Sequence, residues 1–295
     1  MGKIICSFLF VLISSSSLCA KVNYFEQPIA DQTIYDLSSR WHILEREYED
    51  NSSVIDEREY SSLLNRFAMT KSIVSSLSYG GAVNVEVFGT QKKSFLQPGP
   101  LTSGELKYRG VRSLELYSQY LNLNRNIAFK IHLEGTLQDG RERNASLGGY
   151  NGSFTFKYLH ELGALKIGGK IFSAVVGKKR IYRQDGEREI SDPYNQFGKE
   201  LSVLYEFERI TLSLSGHFLL ATDYVIRSPS YTRSSDKGFG VGGKLSATYH
   251  FKQSDLTLWH DRANQVFNVI TVDPNLQHEY EIEEQSSGVG FRWYY

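Results

Sequence analysis

Cysteine is nearly absent from this sequence, and both cysteines, Cys6 and Cys19, lie in its first twenty residues. Those residues have the pattern of a secretory signal, with Lys3 near the start, an apolar run over 4–13 and small residues up to Ala20. We expect cleavage after Ala20, so residues 1–20 are predicted to be removed and the mature chain has no cysteine. Disulfides, thiolate catalysis and cysteine–metal sites are then excluded.

Long apolar runs are also missing. No stretch of roughly 18 apolar residues follows the signal, so helical membrane spans are not expected. The formal net charge is zero, from 33 basic and 33 acidic residues, and no dense basic stripe is present. This charge balance argues against a nucleic-acid partner. Aromatic residues and glycine are abundant instead, with 19 Tyr, 17 Phe and 25 Gly, which suits a β-barrel with aromatic girdles and would also suit a soluble β-sandwich.

The first part of the mature chain has a helical period. Residues 21–30 have no clear period and are predicted to form an exposed lead-in. Apolar residues then recur at three- and four-residue steps in two stripes, Ile34, Leu37, Trp41, Leu44 and Tyr48, then Tyr60, Leu63, Leu64 and Phe67. We therefore predict that residues 21–75 form a periplasmic lead-in and helical hairpin. The hairpin would pack on itself or on a barrel rim, bind a periplasmic protein partner through residues 31–71, or act as a plug in a wide lumen.

The remainder of the chain alternates apolar and polar residues with a period of two, which is typical of strands. Ten such runs lie near residues 78–88, 107–122, 127–134, 150–158, 165–171, 201–208, 210–218, 239–251, 256–270 and 288–295. The connections after the even-numbered runs are short, and those after the odd-numbered runs are long and polar. Outer-membrane barrels show this alternation, whereas a soluble sandwich has no reason to sort its loops in this way.

The predicted fold is therefore all-β, an antiparallel transmembrane β-barrel of about ten strands over residues 76–295. A count of twelve is left open, because residues 91–109 or the long fifth connection would have room for an extra pair. In that fifth connection, Asp185-Gly186 is a strong two-residue turn signal and predicts a hairpin.

The last strand carries the most specific signal. Phe291, Trp293 and Tyr295 share one face and the chain then stops, which fits an aromatic face directed at lipid. In these features the chain resembles bacterial outer-membrane β-barrel proteins, whose last strand carries an assembly signal. Gly290, Trp293 and Tyr295 match that signal, whereas its polar position falls on Gly288.

The resemblance implies a protein of the cell outer membrane that contacts the lipid bilayer and the barrel-assembly machinery. It singles out no particular barrel family and implies no activity.

If the apolar faces are directed at lipid, the charged residues that alternate with them line the lumen. These candidates are Glu86, Glu115, Lys130, His132, Glu134, Lys166, Lys170, Glu206, Glu208, Lys244, His250 and Arg292. A paired structural network is one interpretation, because an unpaired buried charge is costly. A narrow path for ions or solutes is the other, and no ring of a single sign indicates an ion preference.

A rim hydrolase is a third hypothesis. Ser215 and His217 would share a strand face, whereas the neighbours His260 and Asp261 would point to opposite faces. Their surroundings do not match omptin proteases, lipid A deacylases or outer-membrane phospholipases. We assign no catalytic residue, cofactor or metal ligand. The leading hypothesis is a non-enzymatic barrel that acts through its external loops or its periplasmic helical hairpin. The alternative is a small pore or transporter with the N-terminal helices as a plug or partner contact.

Overall fold

The computed structural model describes residues 24–25, 28, 31–50, 53–95, 106–137, 149–182, 188–227, 232–271 and 277–295. The predicted signal peptide and its cleavage site lie outside these residues. All the regular secondary structure in the described ranges is β-strand. In the same ranges, no helix is long and apolar enough to cross a membrane.

The strands, in chain order, are β1 (Thr33–Asp50), β2 (Ser53–Val74), β3 (Leu77–Phe95), β4 (Leu106–Leu121), β5 (Ile127–Thr136), β6 (Gly149–Leu162), β7 (Leu165–Val176), β8 (Lys179–Tyr182), β9 (Arg188–Ser191), β10 (Tyr194–Glu206), β11 (Ile210–Ala221), β12 (Tyr224–Arg227), β13 (Thr232–Ser235), β14 (Gly238–His250), β15 (Ser254–Thr271) and β16 (Gln277–Tyr294). Twelve of them form one closed antiparallel wall, in the order β1 to β7, β10, β11, β14, β15 and β16. The last of these, β16, also pairs with β1. The predicted all-β antiparallel barrel is confirmed, and each of the ten sequence runs corresponds to a wall strand.

The predicted helical hairpin is wrong, because β1 and β2 occupy its place as neighbouring wall strands. The apparent helical stripe is divided between the two faces of the wall: Ile34 is buried inside, whereas Leu37 and Trp41 are exposed on the outside. Polar residues such as Ser39 also lie on the outer face, so the two-residue period is weak here. The wall thus begins at Thr33 rather than near residue 76. The hypothesis of a periplasmic partner for residues 31–71 depended on that hairpin.

The barrel closes between its first and last strands. Leu37 pairs with Phe291 and Tyr35 with Trp293, and the backbone N–H groups of Thr33 and Tyr295 each donate to the other residue's carbonyl at 2.8 Å. The last strand therefore closes on β1, and not on the run that starts near Ser78 as the ten-strand count implied. This pairing leaves neither strand with a free edge, which is the condition for a sheet to exist in lipid.

The outer face carries an apolar band between two sets of aromatic side chains. The band includes Leu116, Ile131, Leu201, Leu214 and Leu245, all more than half exposed. Near the short turns the exposed aromatics are Tyr35, Tyr79, Tyr120, Tyr158, Tyr205, Trp293 and Tyr295; near the opposite end they are Trp41, Phe88, Tyr150, Phe197 and Phe239. Such girdles mark the two interfaces of a lipid bilayer.

Some polar side chains on this outer face are paired with each other. Ser39 donates to the Asn65 side-chain oxygen at 2.7 Å, and the Ser287 hydroxyl lies 2.8 Å from His260 Nδ1. Pairing lowers the cost of placing these groups against an apolar medium.

The two ends of the barrel differ. Short turns join strands at residues 75–76, 122–126, 163–164, 207–209 and 251–253, and the last four of them are predicted from the sequence. In one of them, Gly163 has a φ of +66°, a conformation that side chains with a Cβ rarely adopt.

At the other end, the wall is tall at β1, β2, β3, β15 and β16, which have 18 to 22 residues. Where the wall strands are shorter, β8–β9 and β12–β13 form two hairpins that extend the sheet at this end. The first is the hairpin predicted in the fifth connection, although its turn at Asp185-Gly186 lies outside the described residues.

Closure between β1 and β16 is testable by cross-linking. Residues opposite each other on antiparallel strands have Cα atoms about 4.5–5.5 Å apart, within the range that a disulfide spans. We expect Leu37→Cys with Phe291→Cys to form an intrachain disulfide, detected as a migration change after oxidation on a denaturing gel. The matched control, Leu37→Cys with Leu214→Cys on β11, should not cross-link. Absence of the first disulfide would contradict the twelve-stranded closure.

Candidate functional site

The lumen contains a cavity of about 530 Å³. It follows β14 from His250, next to a short turn, as far as Lys244. A second cavity of about 250 Å³ continues along the same strand to Gly240 and Val241. The two cavities share Lys170, Glu200, His217 and Asp261 in their walls. These four residues therefore lie where the two cavities adjoin.

Glu115 is the centre of a charged cluster on the strands that begin the wall. Its carboxylate accepts hydrogen bonds from Arg66 Nη2 at 2.8 Å and from Asn84 Nδ2 at 2.6 Å, and lies 3.4 Å from His132 Nε2. These partners come from β2, β3 and β5, so one carboxylate connects four neighbouring strands. Breaking such a cluster is costly because the Arg66 guanidinium loses the carboxylate that it pairs with.

Other lumen charges are paired between adjacent strands in the same way. Lys170 Nζ lies 2.7 Å from Glu200 Oε2, and Arg292 Nε donates to Asp36 Oδ1 at 2.7 Å. Lys166 Nζ contacts Glu206 at 2.8 Å and Glu161 at 3.2 Å. The paired-network interpretation therefore describes much of the lumen wall.

A polar cluster near the short turns has the order hydroxyl, imidazole, carboxylate. Thr211 Oγ1 lies 3.0 Å from His250 Nε2, and His250 Nδ1 lies 2.7 Å from Asp255 Oδ1. Tyr294 donates to the other oxygen of Asp255. Hydrolase triads use this order, but they also need free N–H donors for an oxyanion. Thr211 lies between β10 and β14 in the sheet, where the strand ladders occupy its backbone. The cluster thus ties β11, β14, β15 and β16 together.

Tyr24 and Phe25, which precede β1 in the sequence, lie in the lumen. Phe25 is only 4% exposed and packs against Leu121, Ala128, Leu159 and Leu204, which come from four different strands near the short turns. Gln119 Nε2 donates to the Phe25 carbonyl oxygen at 2.7 Å.

Tyr24, next to Phe25, lines the larger cavity and packs so closely on Gly168 that a Cβ there would lie 2.7 Å from its ring. Pro28 is fully buried as well. We call Tyr24, Phe25 and Pro28 the N-terminal plug. The prediction of an exposed lead-in over residues 21–30 is therefore wrong at Phe25 and Pro28, because this short segment has no period of its own that would indicate burial.

The far end of the lumen is narrowed by apolar side chains. Tyr194 and Tyr224 stack with ring centroids 4.7 Å apart, and both pack with Ile282 against Ala221. Ile282 belongs to β16 and Ala221 to β11, so this contact spans the interior.

Every predicted lumen residue except Glu208 lies on a wall strand with its side chain on the inner face. Five of them line the larger cavity: Lys130, Lys170, Lys244, His250 and Arg292. Glu86 is fully buried and accepts a hydrogen bond from Tyr60, and Glu134 accepts one from Asn151 at 3.3 Å. Glu208 lies outside the lumen, because β10 ends at Glu206 and the chain turns there.

The structure adds lumen residues that sequence reasoning did not select. Asp36 and Arg66 were missed because their strands were predicted to be helical. Lys157 and Glu200 each precede an exposed outer residue, Tyr158 and Leu201, on the same strand. The same apolar–polar alternation would therefore have identified them as lumen residues.

The rim-hydrolase candidates do not form a catalytic arrangement. Ser215 and His217 both line the larger cavity, as predicted, but no hydrogen bond joins them in the described structure. His260 faces outward and Asp261 inward, also as predicted. Gly290, Trp293 and Tyr295 lie on the closing strand, and their role as an assembly signal stays a prediction.

The Glu115 cluster should contribute to stability. We expect Glu115→Gln to lower the free energy of unfolding by about 1–3 kcal/mol, because Arg66 and His132 lose their charged partner. The measurement is urea unfolding in lipid vesicles. Glu45→Gln, at an exposed outer position on the tall wall, is the control and should change little. Equal unfolding free energies for the two variants would contradict a stabilising role.

Comparison with known proteins supports the fold. No protein-family model and no curated protein matches the sequence. An outer-membrane channel from Pseudomonas putida F1 superposes with a TM-score of 0.62 at 12% identity, covering 94% of this chain and 100% of that one. The beta domain of the Bordetella autotransporter Brka gives a TM-score of 0.50 at 12% identity, covering 88% and 99%. At these identities the likeness is one of fold. The chain has the fold of the bacterial outer-membrane β-barrel proteins.

Proposed function

We propose that this protein is a channel of the outer membrane for small polar solutes, and that its N-terminal plug keeps the channel closed. One observation carries the proposal: Tyr24 and Phe25 lie in the lumen at the turn-side end of the larger polar cavity. The outer membrane and its lipids are the surroundings that the apolar band and aromatic girdles favour.

The hollow interior supports a channel rather than a purely structural barrel. Side chains just fill a barrel of eight strands, whereas twelve strands enclose a wider space. Here that space is lined by hydroxyl and charged groups from β10, β11 and β14 and holds about 530 Å³. The leading hypothesis from the sequence, a non-enzymatic surface barrel, does not require such a polar cavity.

Packing and hydrogen bonding hold the plug in the lumen. Burial of the Phe25 side chain contributes about 1.5–3 kcal/mol, and the hydrogen bond from Gln119 contributes about 1 kcal/mol. Tyr24 adds its packing on Gly168 and Phe25, and Pro28 is fully buried. The plug precedes the first wall strand, which starts at Thr33, so it can leave the lumen with the wall pairing intact. The pore alternative from the sequence gives this role to N-terminal helices, whereas we assign it to Tyr24, Phe25 and Pro28.

Removing the plug should open the channel. We expect deletion of residues 21–30 from the mature chain to raise the mean single-channel conductance in planar bilayers at least several-fold. Phe25→Ala should give more frequent openings than the full chain, since it removes most of the buried apolar surface. The control is Leu116→Ala, which shortens a side chain on the outer face.

The control should conduct like the unmodified protein. A deletion variant that folds, as judged by heat-modifiable migration on a detergent gel, yet conducts no more than the full chain would contradict the proposed function.

A further inference from the structure

Four neighbouring side chains on β11 and β14 form a polar patch inside the larger cavity. Ser213 is paired in register with Ser246, and Ser215 with Lys244. Residues two apart on a strand share a face, so all four side chains are directed into the lumen, and all four line the cavity. We call these four residues the Lys244 patch.

The polar groups of the Lys244 patch are not used by the protein itself. In the described ranges, no hydrogen bond engages the side chains of Ser213, Ser215 or Ser246, and no carboxylate lies within 4.0 Å of the Lys244 ammonium. Other groups of the same type are paired: Lys170 with Glu200 at 2.7 Å, and the hydroxyls of Thr248 and Thr257 with each other at 3.0 Å. The patch thus offers an ammonium and three hydroxyls to the cavity.

An aromatic ring adjoins the patch. Trp259 on β15 is the register partner of Ser246, and Lys244 Nζ lies 5.8 Å from its ring centroid. The ring lies over two glycines of the closing strand; a Cβ at Gly288 would approach it to 2.3 Å, and one at Gly290 to 3.3 Å. Glycine at these positions lets the ring lie close to the wall, and Trp259 also lines the cavity.

Asp261 is the one acidic neighbour of the patch on the adjacent strand, as the register partner of Lys244. The ammonium of Lys244 is close to the Trp259 ring and makes no ion pair with this carboxylate. Its positive charge is therefore available to a solute.

We infer that the Lys244 patch with Trp259 binds a small hydroxylated organic anion, of the chemical class of sugar acids. The carboxylate of the solute pairs with Lys244, its hydroxyls exchange hydrogen bonds with the three serines, and its carbon face packs on Trp259. The cavity volume lies in the range that encloses one small molecule. This inference rests on the proposed function, because it names the class of solute that the channel passes.

The binding can be measured without any current. Trp259 is the only one of the three tryptophans that lines the cavity, so Trp41→Phe with Trp293→Phe leaves it as the single tryptophan, which can be excited selectively over tyrosine. In detergent, D-glucuronate should change its fluorescence with saturation, in the full chain or in the variant that lacks residues 21–30. Methyl glucoside, which is neutral, and acetate, which lacks hydroxyls, should each bind at least ten-fold more weakly.

Substitution then tests the patch. In the single-tryptophan protein, Lys244→Met should weaken glucuronate binding at least ten-fold, whereas Lys199→Met, an exposed outer lysine on β10, should leave it unchanged. Three results would each overturn the inference. They are no saturable glucuronate binding to the full chain or to the variant without residues 21–30, equal binding of glucuronate and methyl glucoside, and no effect of Lys244→Met on glucuronate binding. A plug deletion that raises conductance while glucuronate fails to bind would leave the proposed function standing and remove only this solute class.

Discussion

Backbone pairing between β1 and β16 is the constraint on which the rest of this structure depends. A sheet in contact with lipid cannot keep a free edge, because each unpaired N–H or carbonyl group there costs several kcal/mol. The last strand meets this condition with residues 34–50 rather than with the strand that starts at Leu77. Two more strands are thereby included in the wall, and the barrel becomes wide enough to be hollow.

The interior follows from that width. Side chains of a twelve-stranded wall do not fill its centre, so charged groups pair with neighbours on adjacent strands, as Arg66 does with Glu115 and Lys170 with Glu200. Such pairs stay close to the wall and leave space in the middle. Phe25 occupies part of this space near the short turns, and Ile282 and the two stacked tyrosines narrow it at the far end.

Most of the wall could be predicted from the sequence, because local alternation and turn length specify strands directly. The strands from Leu77 onward and the outward aromatics of the last strand have this local signature. In β1 the signature fails, since its outer face includes Ser39 and its inner face includes apolar Ile34, and a spacing of three and four residues arises by chance. Asp36 and Arg66 were lost from the predicted lumen for that reason alone.

The plug was beyond local reasoning for a different physical reason. Nothing in residues 24–28 alone indicates burial. Phe25 is buried only because the four strands carrying Leu121, Ala128, Leu159 and Leu204 converge around it, and those residues are distant in the sequence. Glu208 was wrongly predicted to line the lumen, because the apolar–polar alternation of the sequence continues beyond the end of β10 at Glu206.

The central claim is that the N-terminal plug occludes the lumen, and the accessibility of Ala128 to solvent reagents tests it most directly. This residue is 1% exposed and packs in the Phe25 cluster, and the expected mature chain has no other cysteine to react. With Ala128→Cys, the reaction with a membrane-impermeant thiol reagent should be slow in the full chain and at least ten-fold faster without residues 21–30. Equal rates in the two proteins would contradict occlusion by the plug.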